Sequence, residues 1–358
     1  MTVEQVGIVG TGLIGTSIGL ALARTGRSAL LVDAIAGRAA AAAALGAGRA
    51  GDAPELDDCD HIVLAVPPST VAASLHVLLS RNVKATISDV ASSKSKVMAD
   101  IEALGLVASN FCGGHPIAGR ERGGPGAAQP ELFDHAVWAV SPHATTSAEA
   151  VADVVALAEL CGARPVTVSA GEHDAILAVV SHAPQLAASA LATALSKTGP
   201  LGPVFAGTGF RDTTRLADSD PELWSDIACA NGTSLAGVLR DLSQRLADAA
   251  MAVAAGDRPA VRDLLAEGTV ARALLPGKAN ALRRPDWARV GVVLADQPGE
   301  LARLLTAAGS AGVNVEDLTI EHAADHPVGF VDLEVRDEQV GVLLTALSSA
   351  GWSAHRTR

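Results

Sequence analysis

The sequence predicts an α/β protein: a doubly wound sheet, then an all-helical segment, then a small βαββαβ unit of ferredoxin-like order. Three features carry that prediction. Short apolar runs alternate with Ala/Leu-rich stretches as far as residue 168, strand signals then vanish up to Pro276-Gly277, and strands and helices return from residue 283. The chain thus divides into residues 1–168, 169–282 and 283–358.

In order, Val6–Val9, Ala29–Asp33, His61–Val66, Thr86–Val90, Ala136–Ser141 and Pro165–Val168 are short and apolar, as strands buried on both faces are. Leu13–Thr25 and Ser147–Gly162 have helical spacing. Gly171–Ser196 and Leu223–Gly256 read as two long helices, separated by the Gly/Pro-rich break at 199–203. Within the first, Pro184 removes a helix hydrogen bond and should kink the chain beside His182. A helical segment so poor in charge on one side predicts a homodimer. Pro276-Gly277 reads as a linker. Beyond it, Arg289–Leu294, Leu318–Glu321, Val328–Val335 and Trp352–His355 read as strands, with Gly299–Gly309 and Gln339–Ala350 as helices.

Composition narrows the function classes. The 358 residues carry a net charge of −12, which argues against a nucleic-acid partner, since phosphate neutralisation needs a basic face. An anionic substrate would need local arginines to invert that field. Four cysteines, Cys59, Cys112, Cys161 and Cys229, lie far apart, which suits neither a metal site nor a disulfide framework. No uninterrupted apolar run is long enough to span a bilayer, and no signal stretch precedes Val6. A cytoplasmic enzyme without a membrane partner is the expectation. Tyrosine is absent, so none can serve as acid or base.

Gly10-Thr11-Gly12-Leu13-Ile14-Gly15 follows a strand, opens a helix and precedes Asp33 at the end of the next strand. That is the context a Rossmann-like dinucleotide loop requires. The helix N-terminus offers N–H groups to a pyrophosphate. Asp33 accepts from the ribose hydroxyls and repels a 2′-phosphate, which favours NAD; Arg38 nearby leaves NADP open. Val66, the last residue of the third predicted strand, and Pro67 after it complete the expected cofactor set.

Polar groups concentrate in four further places: Asp89-Val90-Ala91-Ser92-Ser93-Lys94 at a strand end, Gly113-Gly114-His115-Pro116-Ile117-Ala118-Gly119 with Glu121 after it, Ser181-His182-Ala183-Pro184, and 209–215 with Arg211 and Arg215. Ligands bind at the carboxyl edge of such sheets. His173-Asp174 reads as a helix cap and a charge, not a site. Spacing alone does not choose between Ser92, Ser93 and Ser95.

The runs GTGLIGTS, DVASSK, HPIAG, SHAPQ and GFRDTTR, in this order, resemble the prephenate/arogenate dehydrogenase family over roughly residues 5–275. The resemblance implies NAD-dependent oxidative decarboxylation of prephenate, or of arogenate. It implies His115 as catalytic histidine, Ser92 near the substrate hydroxyl and nicotinamide, Glu121 as a gating acid, His182 as a substrate-binding histidine and Arg215 on substrate carboxylate. A neutral histidine suits the proton transfer, and an arginine fork suits a dianion. No metal is expected, because aromatisation supplies the driving force. Gln185 stands where many relatives have a second histidine, which bears on side-chain recognition. A β-hydroxyacid dehydrogenase would use a lysine of the helical segment, yet none lies between Lys96 and Lys197. A non-catalytic amino-acid sensor on the same fold is the other alternative, and an enzyme acting on the 4-amino analogue a third.

Asp296-Gln297-Pro298-Gly299-Glu300-Leu301 and 312–318 resemble the ACT domain, a regulatory module, over about residues 288–358. The turn at Pro298-Gly299 would expose helix amides to a carboxylate, with Asn314 on an amino group. Asp296, Pro298, Gly299 and Asn314 are therefore the expected effector site, for an aromatic amino acid such as tyrosine.

Overall fold

The computed structural model describes residues 4–119, 123–275, 287–322 and 328–357. Contacts divide the chain into two units, at Leu246/Ala247.

The first unit opens with β1 (Val6–Val9), α1 (Leu13–Arg24), β2 (Ala29–Val32), α2 (Arg38–Ala44), β3 (Gly48–Ala50), β4 (His61–Leu64) and α3 (Pro68–Ser80). It continues through β5 (Thr86–Asp89), α4 (Ser95–Ala103), β6 (Phe111–Pro116), β7 (Val137–Pro142), α5 (Ala148–Leu160) and β8 (Arg164–Thr167). The eight strands lie in the order β3-β2-β1-β4-β5-β6-β7-β8. Two apolar clusters form the core, one around Ile18, Leu22, Phe133 and Trp138, the other around Ile62, Leu75, Ile87 and Phe111.

The expected parallel sheet needs one correction. β6 and β7 pair antiparallel, from Cys112↔Pro142 to Pro116↔Trp138. No crossover helix is described between them, and a parallel return would need one. Two strands escaped the sequence reading: β3 has only three residues and a largely exposed pattern, and β6 contains Gly113-Gly114, which read as a turn. His115 therefore sits on a strand, not on a loop.

The helical segment runs α6 (Ala170–Leu177), a π-helical turn (Ala178–His182), α7 (Ala183–Ala194), α8 (Gly202–Phe205), α9 (Thr208–Thr214), a 3₁₀ turn (Arg215–Asp218), α10 (Pro221–Ala230) and α11 (Gly232–Ala255). Ser169 caps α6 by accepting from Glu172 N–H, so His173 and Asp174 are not the cap. Instead of a simple kink, Pro184 follows a turn widened to the i→i+5 pattern, with Ala183 N–H on Ala178 O. The second long helix breaks at Asn231 into α10 and α11. Ala170–Lys197, at 28 residues, is long and apolar enough to span a bilayer, contrary to expectation. It holds buried His173, Asp174, His182 and Gln185 in hydrogen bonds to neighbouring elements, while Ile176, Val179, Val180 and Leu191 on it are exposed.

The second unit holds the end of α11, then α12 (Arg258–Arg272), β9 (Trp287–Ala295), α13 (Glu300–Ser310), β10 (Asp317–His322), β11 (Val328–Arg336), α14 (Val340–Ser349) and β12 (Ala354–Thr357). Its antiparallel sheet has the order β10-β11-β9-β12, with Val290, Val292, Leu304, Leu333, Leu343 and Leu347 in the core. Pro276-Gly277 lies outside the described residues.

Candidate active site

The glycine loop connects β1 to α1. Gly10 has φ +96°, and a Cβ there would meet Ala65 O at 2.3 Å; one at Gly15 would meet Gly10 O at 2.0 Å. Side chains at either position would break the turn. At Gly12 a Cβ would meet nothing within 4 Å, so the backbone faces open space at the N-terminus of α1. No acidic residue lies in that first turn, which leaves the helix dipole free to favour an anion. The loop thus fits a pyrophosphate. Thr11, between the glycines, donates its N–H and hydroxyl to Asp33 Oδ2 at 2.7 and 2.8 Å, and Ile35 N–H donates to Oδ1 at 2.8 Å. Burial alone would raise the Asp33 pKa, but these bonds and Arg38 outweigh it and hold the carboxylate ionised. Leu13 and Ile14 begin the helix, Val66 borders the Gly10 turn, and Pro67 precedes α3.

The second cluster forms where β5, β6, α6 and the π turn meet. His115, at the end of β6, places Nδ1 2.8 Å from His173 Nε2, and His173 Nδ1 lies 2.8 Å from Asp174 Oδ1. An ionised carboxylate only accepts, so His173 carries a proton on Nδ1, and in its neutral form it offers a lone pair at Nε2. His115 must then donate from Nδ1. Its Nε2 is left as the open acceptor. Burial pushes the His115 pKa well below 6.5, and His173, Lys94 and His182 act in the same direction. A neutral imidazole with a free Nε2 is a general base.

Asp174 organises its surroundings. Its carboxylate accepts from Lys94 N–H and Ser95 N–H, both at 2.8 Å, and so caps α4 from a different helix. Burial opposes ionisation here, yet the bonds from His173, Lys94 and Ser95 bring its pKa down to about 2. Lys94 is fully buried; its ammonium pairs with Asp89 and donates to Gly114 O at 2.7 Å. Asp89 Oδ1 in turn accepts from Gly114 N–H at 3.1 Å. Gly114, the residue before His115, is thereby held at both its N–H and its C=O.

His182, in the π turn, is buried, with Trp224 edge-on at 6.2 Å between ring centres. Burial lowers its pKa, and His173 adds to this while Asp174 opposes it. Ser93 donates to Ala230 O at 3.2 Å and Ser95 to Asp174, while the half-buried Ser92 makes no hydrogen bond among the described residues. Ser92 is the hydroxyl of the three left for a ligand. Gln185 is not open for recognition: its amide donates to Leu216 O at 2.7 Å and accepts from Ser219, fastening α7 to the turn that carries Arg215. Arg215 is exposed on that turn, and Arg211 binds Ala206 O. Glu121 lies outside the described residues.

The sequence profile of the prephenate dehydrogenase nucleotide-binding domain matches residues 18–167, and that of the dimerization domain matches residues 169–267. The chain belongs to the prephenate dehydrogenase family. The "Probable prephenate dehydrogenase NovF" of Streptomyces niveus is 33% identical to it over 97% of this chain and 98% of its own. Prephenate dehydrogenase of Bacillus subtilis is 31% identical over 63% of each. The crystal structure of prephenate dehydrogenase from A. aeolicus with hydroxyphenyl propionate and NAD+ has a TM-score of 0.69 at 26% identity, over 76% of this chain and 98% of that one. Arogenate dehydrogenase of Synechocystis gives 0.65 at 28%, over 75% and 99%. The Rossmann-like sheet and the helical dimerization segment are thus family features. The glycine loop precedes the profile match, so its fit to a dinucleotide rests on its own geometry.

Sequence reasoning missed three members of this hydrogen-bonded cluster. His173 and Asp174 read as a cap, and Asn231 was absorbed into one long helix. A His-Asp pair inside an otherwise apolar helix, and the helix-weakening Asn231-Gly232, were the available signals.

In the second unit, Asp296 lines a cleft of about 220 Å³ together with Leu294, Glu300, Leu301, Ile320 and Val331. Pro298 and Gly299 form the adjacent turn and Asn314 contacts Glu316, but none of the three lines it. Glu300 opens α13 with a negative charge, so the helix amides do not face an empty field as expected.

Proposed function

We propose that the chain oxidatively decarboxylates prephenate to 4-hydroxyphenylpyruvate, with NAD as hydride acceptor. The observation that supports this most is the His115–His173–Asp174 chain, which leaves one neutral imidazole nitrogen open as base. His115 Nε2 takes the proton of the 4-hydroxyl as hydride leaves C4 for the nicotinamide. The bond to the ring carboxylate then breaks, carbon dioxide departs, and its electron pair aromatises the ring. The proton returns from His115 to the phenolic oxygen, so none is lost overall. Such a base contributes about 10²–10⁴-fold. Ser92 donates to the reacting hydroxyl, His182 and Arg215 hold the substrate, and Glu121 gates the entrance. Asp33 takes the ribose hydroxyls.

The same reading gives a three-part chain, 1–168, 169–282 and 283–358, assembled as a homodimer through the helical part. The name of the matched dimerization profile and the exposed Met251, Val253, Leu265 and Val270 on α11 and α12 support that assembly. The βαββαβ unit is an ACT-like regulatory module taking an aromatic amino acid at the Asp296 cleft, where apolar walls meet acids suited to an ammonium group.

The test is reduced-nicotinamide absorbance with prephenate, arogenate and the 4-amino analogue, each with NAD and with NADP. Fastest turnover of prephenate with NAD is expected. A preference for arogenate would move the assignment to the transaminated substrate, and no turnover of any would overturn it in favour of a sensor.

A further inference from the structure

Asn231 lies between α10 and α11, where helical periodicity gives it no task, yet its side chain is only 4% exposed. Its amide nitrogen is 2.7 Å from the carbonyl oxygen of Asp174 and 3.0 Å from Nδ1 of His182. A backbone carbonyl only accepts, which fixes the amide with its NH₂ toward α6 and not its oxygen. The second hydrogen of that NH₂ points to His182 Nδ1, which must then be the lone pair. A neutral His182 has one remaining place for its proton, Nε2.

We propose that Asn231 is a positioning residue that locks His182 as the Nε2–H tautomer, so that His182 meets substrate as a hydrogen-bond donor and never as a base. The adjacent imidazole has the opposite polarity. The carboxylate of Asp174, acting through His173, makes Nδ1 of His115 the donor and Nε2 the acceptor, while the carbonyl of the same residue, acting through Asn231, does the reverse to His182. One aspartate thereby separates two histidines into a proton acceptor and a binder of oxygen, either carboxylate or keto. Trp224, edge-on to the His182 ring, restricts the ring flip that would exchange the two nitrogens. The donor's use on substrate rests on the function proposed above; the tautomer does not.

Long-range ¹⁵N–¹H correlation spectra of the full-length protein, with His182 assigned by its loss in His182→Gln, read the tautomer without turnover. The expected result is a protonated Nε2 and an unprotonated Nδ1. In Asn231→Asp the carboxylate can only accept, so a proton should appear on Nδ1. Asn231→Leu should raise the KM for prephenate about fivefold, the loss of one ordinary hydrogen bond, with kcat and the KM for NAD within twofold. Nδ1 protonation of His182 in the unaltered protein, or no change in the Asn231→Asp spectrum, would overturn the proposal even if prephenate is turned over. Failure of turnover with the expected spectra would instead remove the function and leave the tautomer.

Discussion

A buried histidine can serve as a base only if the protein decides which nitrogen holds the proton, and here that decision is made by acceptors that cannot donate. Replacing His115 by Asn keeps a polar group but removes the open Nε2. Turnover should fall about 10²–10⁴-fold while the KM for substrate changes little, as steady-state kinetics will show. Because burial and the neighbouring imidazoles lower the His115 pKa, the acidic limb of kcat/KM should fall below pH 6.5, the ordinary imidazole value. A limb at or above that value would deny His115 the role. Asp174 makes a separate prediction for stability. Its folded pKa of about 2 lies below the ordinary 3.8, so the folded state gains stability above the unfolded pKa and loses it as pH falls through the folded one. Denaturant titrations between pH 5 and pH 2 (roughly the window this linkage covers) should show a loss of about 2 kcal/mol that Asp174→Asn does not share. Side chains in motifs with a sequence signature could be named as candidates, His115 beside its glycines and His182 before a proline, while Ser92 came from the family resemblance because spacing left it level with Ser93 and Ser95. His173, Asp174 and Asn231 act through one another, and partners 58 and 49 positions apart leave no local pattern to read.

The widened turn before Pro184 shows how local chemistry becomes placement. Proline has no N–H to give, so the helix would lose a hydrogen bond in any case; the i→i+5 pattern distributes that loss over Ala178–His182 and carries His182 into the site. Pro184→Ala restores the donor and lets the turn tighten to α-helical pitch, which would rotate His182 away from Asn231. The expected outcome is a melting temperature that holds or rises with a severalfold higher KM for prephenate. An unchanged KM in a stabilised variant would make the turn a passive answer to proline. Sequence periodicity recovered the long runs well, since a buried strand or an amphipathic helix repeats its pattern every few residues. It failed where pattern and role diverge. β6 carries two glycines because Gly114 lies against Asp89 and Trp138, where a Cβ would come within 2.7 and 3.0 Å, and that close approach looks like a turn in one dimension. The break at Asn231 is easily passed over for the converse reason, as apolar spacing continues across it and only Asn231-Gly232 marks it.

The substrate proposed for the chain is a dianion and the chain's own net charge is −12, so the proposal requires local cations at the substrate and assigns cofactor selection to one acid. Asp33 already holds three donors, and its charge repels a phosphate at the ribose; Asp33→Ser should raise the KM for NAD about tenfold and narrow the preference over NADP, because a charge-assisted bond is lost and the repulsion with it. Chemistry and regulation are proposed to lie in different units. The described hydrogen bonds of the His115 cluster all join residues before 246, and the βαββαβ core is built around Leu304 and Leu343. A chain ending at Leu275 keeps both family-matched segments whole, since the second ends at residue 267. It should therefore retain prephenate turnover within a few-fold. Calorimetry should find tyrosine, phenylalanine or tryptophan binding the full chain and not the shortened one, and Asp296→Ala should weaken that binding without altering turnover. Heat from none of the three would strip the module of its effector and leave it a scaffold. Loss of turnover on truncation would mean that the dehydrogenase site depends on residues beyond 275, which none of its described hydrogen bonds reaches.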